Sequence, residues 1–299
     1  MKALVTGATG FVGPYLLRHL SACGDDVVGP GDATTGFDVC DRDAVLDVLT
    51  MHRPEVVYHL AARSHVGASW HDPIACLRVN VEGTANVLDA AVAVGVRRVL
   101  VVGSAEEYGR VNEPAPITEE APAQPLTPYG ASKAAAAMFA LQAQLAGTVE
   151  TVRVRPFSHT GPGQSPAFVI PALAGRVARA EREGHDEVRI GARTPVRDIS
   201  DVRDVVRAYR MLMCDGVPGD VYNVCRGVGI AIGEIAAWFV AHATRALTVE
   251  SDPQLTRATD VPYLVGDPGR LVRATGWEPE FTLDQTFGAV LAHARAQGS

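Results

Sequence analysis

The sequence predicts an α/β fold: a doubly wound parallel sheet with a smaller, less regular C-terminal domain. Three observations predict it. Short β-branched and aliphatic runs alternate with helical stretches through the first half of the chain, which is the pattern of parallel strands joined by crossover helices on both faces. A glycine-rich stretch, TGATGFVG (6–13), joins the first such run directly to the first helical stretch. Apolar residues make up 47 % of the 299, enough for one large core or two packed ones and too many for a disordered chain.

Taken in order, KALVT (2–6) reads as a buried strand, Phe11 to Ser21 as a helix and DDVVG (25–29) as a second strand. Asp41 to Met51 is a second helix, EVVYHLA (55–61) a strand, and Pro73 to Val94 one long helix. RRVLVVGS (97–104) and TVETVRVR (148–155) are further strands, on either side of a helix from Pro128 to Ala146. The stretch PGDATTGFDVCD after the second strand has no room for a full crossover helix. The second half offers helices from about Phe168 to Arg182, Asp201 to Met213 and Gly233 to Ala243, the runs VRIG and DVYNV (220–224), and two last helices near 267–275 and 283–296. The loop 109–128 holds five of the nineteen prolines and reads as an ordered excursion, since loops of this length in compact domains are usually functional or disordered.

Composition excludes several classes. A net charge of −7 argues against a nucleic-acid binder, which usually carries a basic face. No apolar run is long enough to span a bilayer, and Gly and Thr interrupt the N-terminal apolar run, so it does not read as a signal peptide. The five cysteines, Cys23, Cys40, Cys76, Cys214 and Cys225, show no C-x-x-C or metal-ligand spacing. They read as small core residues of a reducing cytoplasm. The histidines form no metal-binding pattern either, so no metal is expected.

The glycines Gly7, Gly10 and Gly13 are spaced three apart between strand and helix. Glycine permits a tight turn and close backbone approach, and the helix N-terminus behind it favours a pyrophosphate. A second signal lies in TPYGASKAAAAMFALQAQLAG (127–147), where Tyr129 and Lys133 are four apart in an alanine-rich helix and share one face. Such a pair is often just solvated helix surface. An ammonium beside a phenol also lowers the phenol's pKa and makes it a usable proton donor or acceptor.

With TGATGFVG, HLAA (59–62), GSAEEYG (103–109), Y-x-x-x-K (129–133) and RPFSHTGPGQ (155–164) in this order, the chain resembles the extended short-chain dehydrogenase/reductases, over essentially its whole length. AARSHVGASWHDP (61–73), FVIPALAGRVA (168–178), VRDISDVRDVVRAY (196–209) and VYNVC (221–225) make it most similar to the branch that reduces GDP-4-keto-6-deoxy-D-mannose, close to the GDP-mannose 4,6-dehydratases.

The resemblance implies a Rossmann domain of 1–157 with 197–227 and a sugar-nucleotide domain of 158–196 with 228–299. It implies NADP(H) or NAD(H) as cofactor, a nucleotide sugar as substrate, and a homodimer through helices 73–94 and 128–146. By motif, Ser104, Tyr129 and Lys133 are catalytic: Ser104 donates to the substrate C4 oxygen, Tyr129 supplies the proton, and Lys133 holds the nicotinamide ribose and lowers the Tyr129 pKa. Glu106 stands where related dehydratases keep a base and where reductases keep an acid that meets a sugar hydroxyl. Cofactor contacts fall on Gly7, Thr9, Gly10, Phe11, Val12 and Gly13, on Asp38 and Val39 near the adenine, on Leu60, Ala61 and Ala62, and on Lys133 and Pro156. Substrate contacts fall on Ser64, Glu106, Ser158, Val169, Arg197 and Arg257.

The chain departs from the family pattern at three points. No acidic or basic residue closes the second strand, so NAD and NADP are not distinguished. Asp32 stands two residues beyond Pro30, and Asp38 is expected after a further short strand. Ser158 replaces an asparagine, and Glu107 replaces an apolar residue before Tyr108. Trp70, Trp238 and Trp277 are expected in the core or at helix contacts. The rivals are a 4,6-dehydratase or 4-epimerase with retained NAD, and a non-enzymatic nucleotide sensor. The intact Ser104, Tyr129 and Lys133 speak against the sensor.

Overall fold

The computed structural model describes residues 1–31, 36–110, 115–255 and 261–297. Among these, strands β1 (Lys2–Thr6), β2 (Asp26–Val28), β3 (Val56–His59), β4 (Arg98–Val102) and β5 (Glu150–Pro156) are joined by one later strand, Val221–Val224, in a six-stranded sheet. Every pairing in it is parallel. The order runs β2, β1, β3, β4, β5 and then Val221–Val224, so the winding reverses between β1 and β3. That crevice at the carboxyl ends of the strands is where open α/β sheets bind ligands.

Both faces of the sheet are covered, which is why its strands read as nearly continuous apolar runs. Helix α1 (Gly13–Ala22) packs on one face, together with a later helix Val202–Asp215, and buries Leu16, Leu20, Val205, Tyr209 and Leu212 against Val5 and Val154. Helices α2 (Arg42–His52) and Gly83–Val94 cover the other face and bury Val45, Leu49, Val87 and Ala91 against Leu4 and Val57. Asp41 caps α2 by accepting from the Asp43 and Ala44 N–H groups.

The helix expected over 73–94 is not one regular helix. After the short α3 (Val66–His71), α4 (Pro73–Leu77) runs into a wide turn at Arg78–Glu82 and resumes as α5 (Gly83–Val94). The wide turn carries Asn80, which is buried and hydrogen-bonded to elements on both sides, and such bulges concentrate at functional sites. Helix α6 (Pro128–Leu145) follows, with Thr127 as its cap.

The rest of the chain forms a second layer. Strands β6 (Ser158–Thr160) and β8 (Val196–Asp201) pair in parallel, separated in sequence by α7 (Val169–Glu183) and β7 (Glu187–Ile190). After α8 (Val202–Asp215) and the sixth strand of the main sheet, β9 (Val221–Val224), β10 (Gly229–Ala231) pairs antiparallel with β8. Helix α9 (Ile232–Ala241), β11 (Thr248–Ser251), β12 (Tyr263–Leu264), α10 (Gly269–Thr275) and α11 (Leu283–Gln297) complete the order. Ile170, Leu173, Ile190, Ile235, Phe239 and Phe287 form this layer's core.

β6, β8, β10, β11 and β12 had no counterpart in the sequence reading. All are short or polar, so alternation is a weak signal there. No strand immediately precedes Asp38: Gly36 to Asp38 form a turn and coil, and residues 32–35, Asp32 among them, lie outside the described residues.

The expectation that the cysteines are small core residues fails in part. Cys76 and Cys225 are buried, but Cys23 and Cys214 are exposed, at the ends of α1 and α8, and Cys40 is half-exposed. Trp277 is buried, whereas Trp70 on the short α3 is 51 % exposed. The described residues of the loop before α6 are tied down by hydrogen bonds. Ile117 exchanges hydrogen bonds with Val265 and Asp267, Gln124 N–H donates to the Glu107 carbonyl, and Glu119 accepts the Asn223 N–H at 2.7 Å.

Candidate active site

A cleft of about 820 Å³ runs along the carboxyl ends of β1, β3, β4 and β5 and under the second layer. One end is floored by the glycine loop. Gly7 adopts the left-handed conformation at φ 69°, and a Cβ there would sit 2.7 Å from the Ala61 nitrogen, so only glycine lets β1 and β3 approach this closely. Behind the loop, the N-terminus of α1 starts at Val12 with no side-chain cap and no acidic residue in its first turn. No side-chain cap satisfies its first N–H groups, an arrangement that suits an anion.

At the middle of the cleft, β4 ends in a tight turn. Ser104 is buried and caps the turn Ala105–Glu107: its Oγ accepts the Glu106 N–H at 3.1 Å, which leaves the hydroxyl proton for another acceptor. Helix α6 starts against this turn. A Cβ on Gly130 would come within 2.5 Å of the Glu106 carbonyl, so glycine after Tyr129 is what brings the phenol beside Ser104.

Tyr129 is held by its backbone: its N–H donates to Ser69 Oγ at 3.2 Å, and its carbonyl accepts from Ser132 Oγ at 2.7 Å. Ser132 in turn accepts from Asn80 Nδ2 at 2.8 Å, and Asn80 Oδ1 accepts the Arg63 N–H at 2.8 Å.

A second buried chain ties the glycine loop to the same helices. The Ala61 N–H donates to Thr6 Oγ1, which lies 2.8 Å from His59 Nδ1, and His59 Nε2 lies 3.0 Å from Thr84 Oγ1, which donates to the Asn80 carbonyl. The donors are satisfied only if His59 is neutral and protonated at Nε2. Burial, helped by the Lys133 charge, lowers the His59 pKa to about 3.

The expected lowering of the Tyr129 pKa by Lys133 is not what the structure shows. Burial pushes the phenol up, and the opposing pull comes from its hydrogen bond with Ser104. The Lys133 ammonium instead donates to the Val102 carbonyl at 2.7 Å, and burial lowers its pKa to about 8 against the favourable charge of Glu107. In a dry site the cost of carrying charge outweighs the mutual influence of the two groups.

The sequence-expected residues converge well. Gly7, Thr9, Gly10, Phe11, Val12, Gly13, Asp38, Val39, Leu60, Ala61, Ala62 and Pro156 line the cleft, as do Ser104, Glu106, Tyr129 and Lys133. Ser64, Ser158, Val169 and Arg197 line its other half, while Arg257 lies outside the described residues. Asp38 is exposed, and its carboxylate accepts the Cys40 N–H at 2.9 Å, a turn-forming contact. Asp198, beside Arg197, is buried and accepts the Arg226 and Gly227 N–H groups.

Sequence reasoning missed the supports Ser69, Asn80, His59 and Ser132, and also His65 and His159. His65 meets Phe168 edge-on at 5.9 Å, and His159 stacks on Phe11 at 6.3 Å. Both histidines sit inside AARSHVGASWHDP and RPFSHTGPGQ, so the motifs carried them unread.

The model of the NAD dependent epimerase/dehydratase family matches residues 3–225, and the chain belongs to that family. It is 35 % identical to the GDP-6-deoxy-D-mannose reductase of Pseudomonas aeruginosa, across 97 % of this chain and 96 % of that one. Among solved structures it is similar to RMD from Pseudomonas aeruginosa complexed with NADPH: TM-score 0.90, 34 % identity, 99 % of this chain and all of that one. A UDP-glucose 4-epimerase from Thermus thermophilus in complex with NAD shares 28 % identity at TM-score 0.88, covering 99 % of each chain. The nicotinamide dinucleotide that the family name implies fits the residues present: an uncapped helix N-terminus behind glycines, opening on a deep cleft, is a donor set for a pyrophosphate.

The burden on Lys133 is testable without a ligand. Between pH 8 and its ordinary 10.5 the native chain binds fewer protons at Lys133 than the unfolded chain does. The penalty from this group is therefore complete below pH 8 and relieved as pH rises toward 10.5. Lys133→Met is expected to raise the urea midpoint relative to wild type at pH 7, with the gain narrowing at pH 10. A difference that stays constant across this range would show that Lys133 is not the strained group.

Proposed function

We propose that the chain reduces the C4 keto group of a nucleotide-linked 4-keto-6-deoxyhexose with NADPH or NADH, converting GDP-4-keto-6-deoxy-D-mannose to GDP-D-rhamnose in the cytoplasm. The observation that carries this reading is the meeting, in one cleft, of the uncapped N-terminus of α1 with Ser104, Tyr129 and Lys133. The Pseudomonas aeruginosa reductase supports the GDP-linked sugar, and the NADPH complex supports the cofactor.

A bound reduced nicotinamide supplies the hydride. Gly7 to Gly13 hold the pyrophosphate; Asp38, Val39, Leu60, Ala61 and Ala62 hold the adenosine side; and Lys133 and Pro156 hold the nicotinamide ribose. Tyr129 keeps its proton at neutral pH, because burial raises its pKa, and gives it to the C4 oxygen as negative charge grows there. Ser104, which accepts the Glu106 N–H, donates a hydrogen bond to the same oxygen and keeps its proton. Ser64, Ser158, Val169, Arg197, Arg257 and Glu106 meet the sugar-nucleotide. In this reading, 1–157 with 197–227 serve the dinucleotide and 158–196 with 228–299 the substrate.

A second reading, a 4,6-dehydratase or 4-epimerase, draws on Glu106, a half-buried carboxylate on the cleft wall whose charge acts on the Tyr129 phenol. A panel of GDP-, dTDP- and UDP-linked 4-keto-6-deoxyhexoses and their parent hexoses, with NADPH, NADH or neither, read by mass spectrometry, separates the two. Turnover of a parent hexose without added cofactor would overturn the reductase reading.

Tyr129→Phe is expected to lose about 10²–10⁴-fold in kcat while binding NADPH as before. Activity within about threefold of wild type would remove Tyr129 from the mechanism.

Arg197→Ala is expected to raise KM for the nucleotide sugar by about 10–100-fold, the worth of a charge-assisted hydrogen bond of about 1.5–3 kcal/mol. Arg197→Lys recovers part of the loss, since a point charge cannot copy the guanidinium fork. Loss of NADPH affinity with GDP affinity untouched would assign Arg197 to the cofactor instead.

We also propose a homodimer through α4–α5 and α6, because these helices leave Ile74, Leu77, Met138, Phe139 and Leu145 between 40 and 78 % exposed, a large apolar face for a lone chain. Sedimentation equilibrium is expected to give twice the chain mass, and Phe139→Glu to give the single mass. A wild-type chain that is monomeric at tens of micromolar would refute the dimer.

A further inference from the structure

Glu107 stands where no charge is expected, directly before the buried Tyr108. Its side chain is fully buried and makes two contacts in different directions. Oε1 accepts the backbone N–H of Ser104 at 2.9 Å, and Oε2 accepts Arg155 Nε at 2.8 Å. The carboxylate fits because Gly103 has no side chain: a Cβ there would lie 2.2 Å from Oε1.

Arg155 is anchored in turn. It lies on β5 opposite Asn223 of β9, and its guanidinium carbon sits 4.6 Å from the centre of the Tyr108 ring. The Tyr108 hydroxyl donates to Asn223 Oδ1 at 2.7 Å. The turn that presents the Ser104 hydroxyl is therefore bolted to the neighbouring strand by one buried ion pair. Without it, the Ser104 N–H loses its acceptor in a dry site.

We propose that Glu107 and Arg155 are positioning residues that fix the orientation of the Ser104 hydroxyl toward the substrate carbonyl. The inference rests on the reading of Ser104 as a donor to the C4 oxygen. Neither residue lines the cleft, so each acts through Ser104 and not by touching the substrate.

The test is a cycle of four proteins: wild type, Ser104→Ala, the double variant Glu107→Val with Arg155→Met, and all three changes together. Apolar replacement of both partners of a buried ion pair is often neutral for stability, so the double variant is expected to fold cooperatively, with a thermal midpoint lowered by no more than the loss of the acceptor for the Ser104 N–H. Its kcat is expected to fall about 10–100-fold, since a misplacement of about 1 Å costs roughly 10²-fold. KM for the nucleotide sugar and Kd for NADPH are expected to stay within about threefold. On the Ser104→Ala background the same two changes are expected to cost less than about threefold.

An equal kcat loss on both backgrounds, or none on the wild-type background, overturns the positioning role. Full activity of Ser104→Ala by itself overturns the reading of Ser104, which is a separate failure. If the double variant does not fold, Glu107→Gln replaces it. The amide has one acceptor oxygen, so either Ser104 or Arg155 loses its partner, and the same loss confined to the Ser104-containing background is expected.

Discussion

The site depends on how closely backbones approach one another at the carboxyl ends of β1, β3 and β4. At Gly7, Gly13, Gly103 and Gly130 a Cβ would fall between 2.2 and 2.7 Å from a neighbouring atom, well inside contact distance. These four absent side chains let the glycine loop lie on β3, let α1 start against the loop, admit the Glu107 carboxylate, and seat α6 on the Ser104 turn. An added methyl at any of them would push apart elements that share the cleft. The uncapped helix N-terminus and the buried phenol occupy one cleft because of this packing, and each alone would be an ordinary feature of an α/β fold.

Close packing at a polar site demands complete pairing, because an unpaired buried donor or acceptor costs about 1–3 kcal/mol. Two chains meet that demand. One runs from Ala61 through Thr6, His59 and Thr84 to the Asn80 carbonyl; the other runs from Arg63 through the Asn80 side chain and Ser132 to Tyr129. They meet at Asn80, and the wide turn at Arg78–Glu82 is where that residue sits. The bulge and the network thus explain each other. Removing one side chain of the Glu107–Arg155 pair outright would strand a buried charge, at about 3–5 kcal/mol, which is why apolar replacement has to take both partners together.

Much of this was legible in the sequence, and the reason differs by element. The main sheet was read nearly strand for strand because its central strands are largely buried and rich in β-branched and aliphatic residues. The cleft was read because glycine spacing and a Tyr–Lys pair at i, i+4 are local patterns. β6, β10 and β12 were not legible: they have two or three residues each, and their pairing with β8 is set by tertiary contact. The supports of the site were hidden for another reason. Ser69, Asn80 and Ser132 come from three different helices, and no spacing along the chain announces that their side chains meet. Glu107 was visible as an oddity, and only the placement of Arg155 on the adjacent strand gives it a partner.

The charge state of the site was misjudged from sequence for a physical reason that bears on the chemistry. A Tyr–Lys pair at helical spacing suggests an ammonium stabilising a phenolate, as it would in water-exposed surroundings. Here both groups are buried, and burial drives each toward its neutral form, raising the phenol and lowering the ammonium. The site therefore holds a protonated phenol hydrogen-bonded to the Ser104 hydroxyl, which also accepts the Glu106 N–H. That is the arrangement a carbonyl reduction needs, since the first charge to develop is negative and sits on the substrate oxygen. A site built to abstract a proton would instead need the phenolate formed in advance, against the desolvation that dominates here. The burial of Tyr129, more than the identity of its neighbours, keeps the phenol in its protonated form.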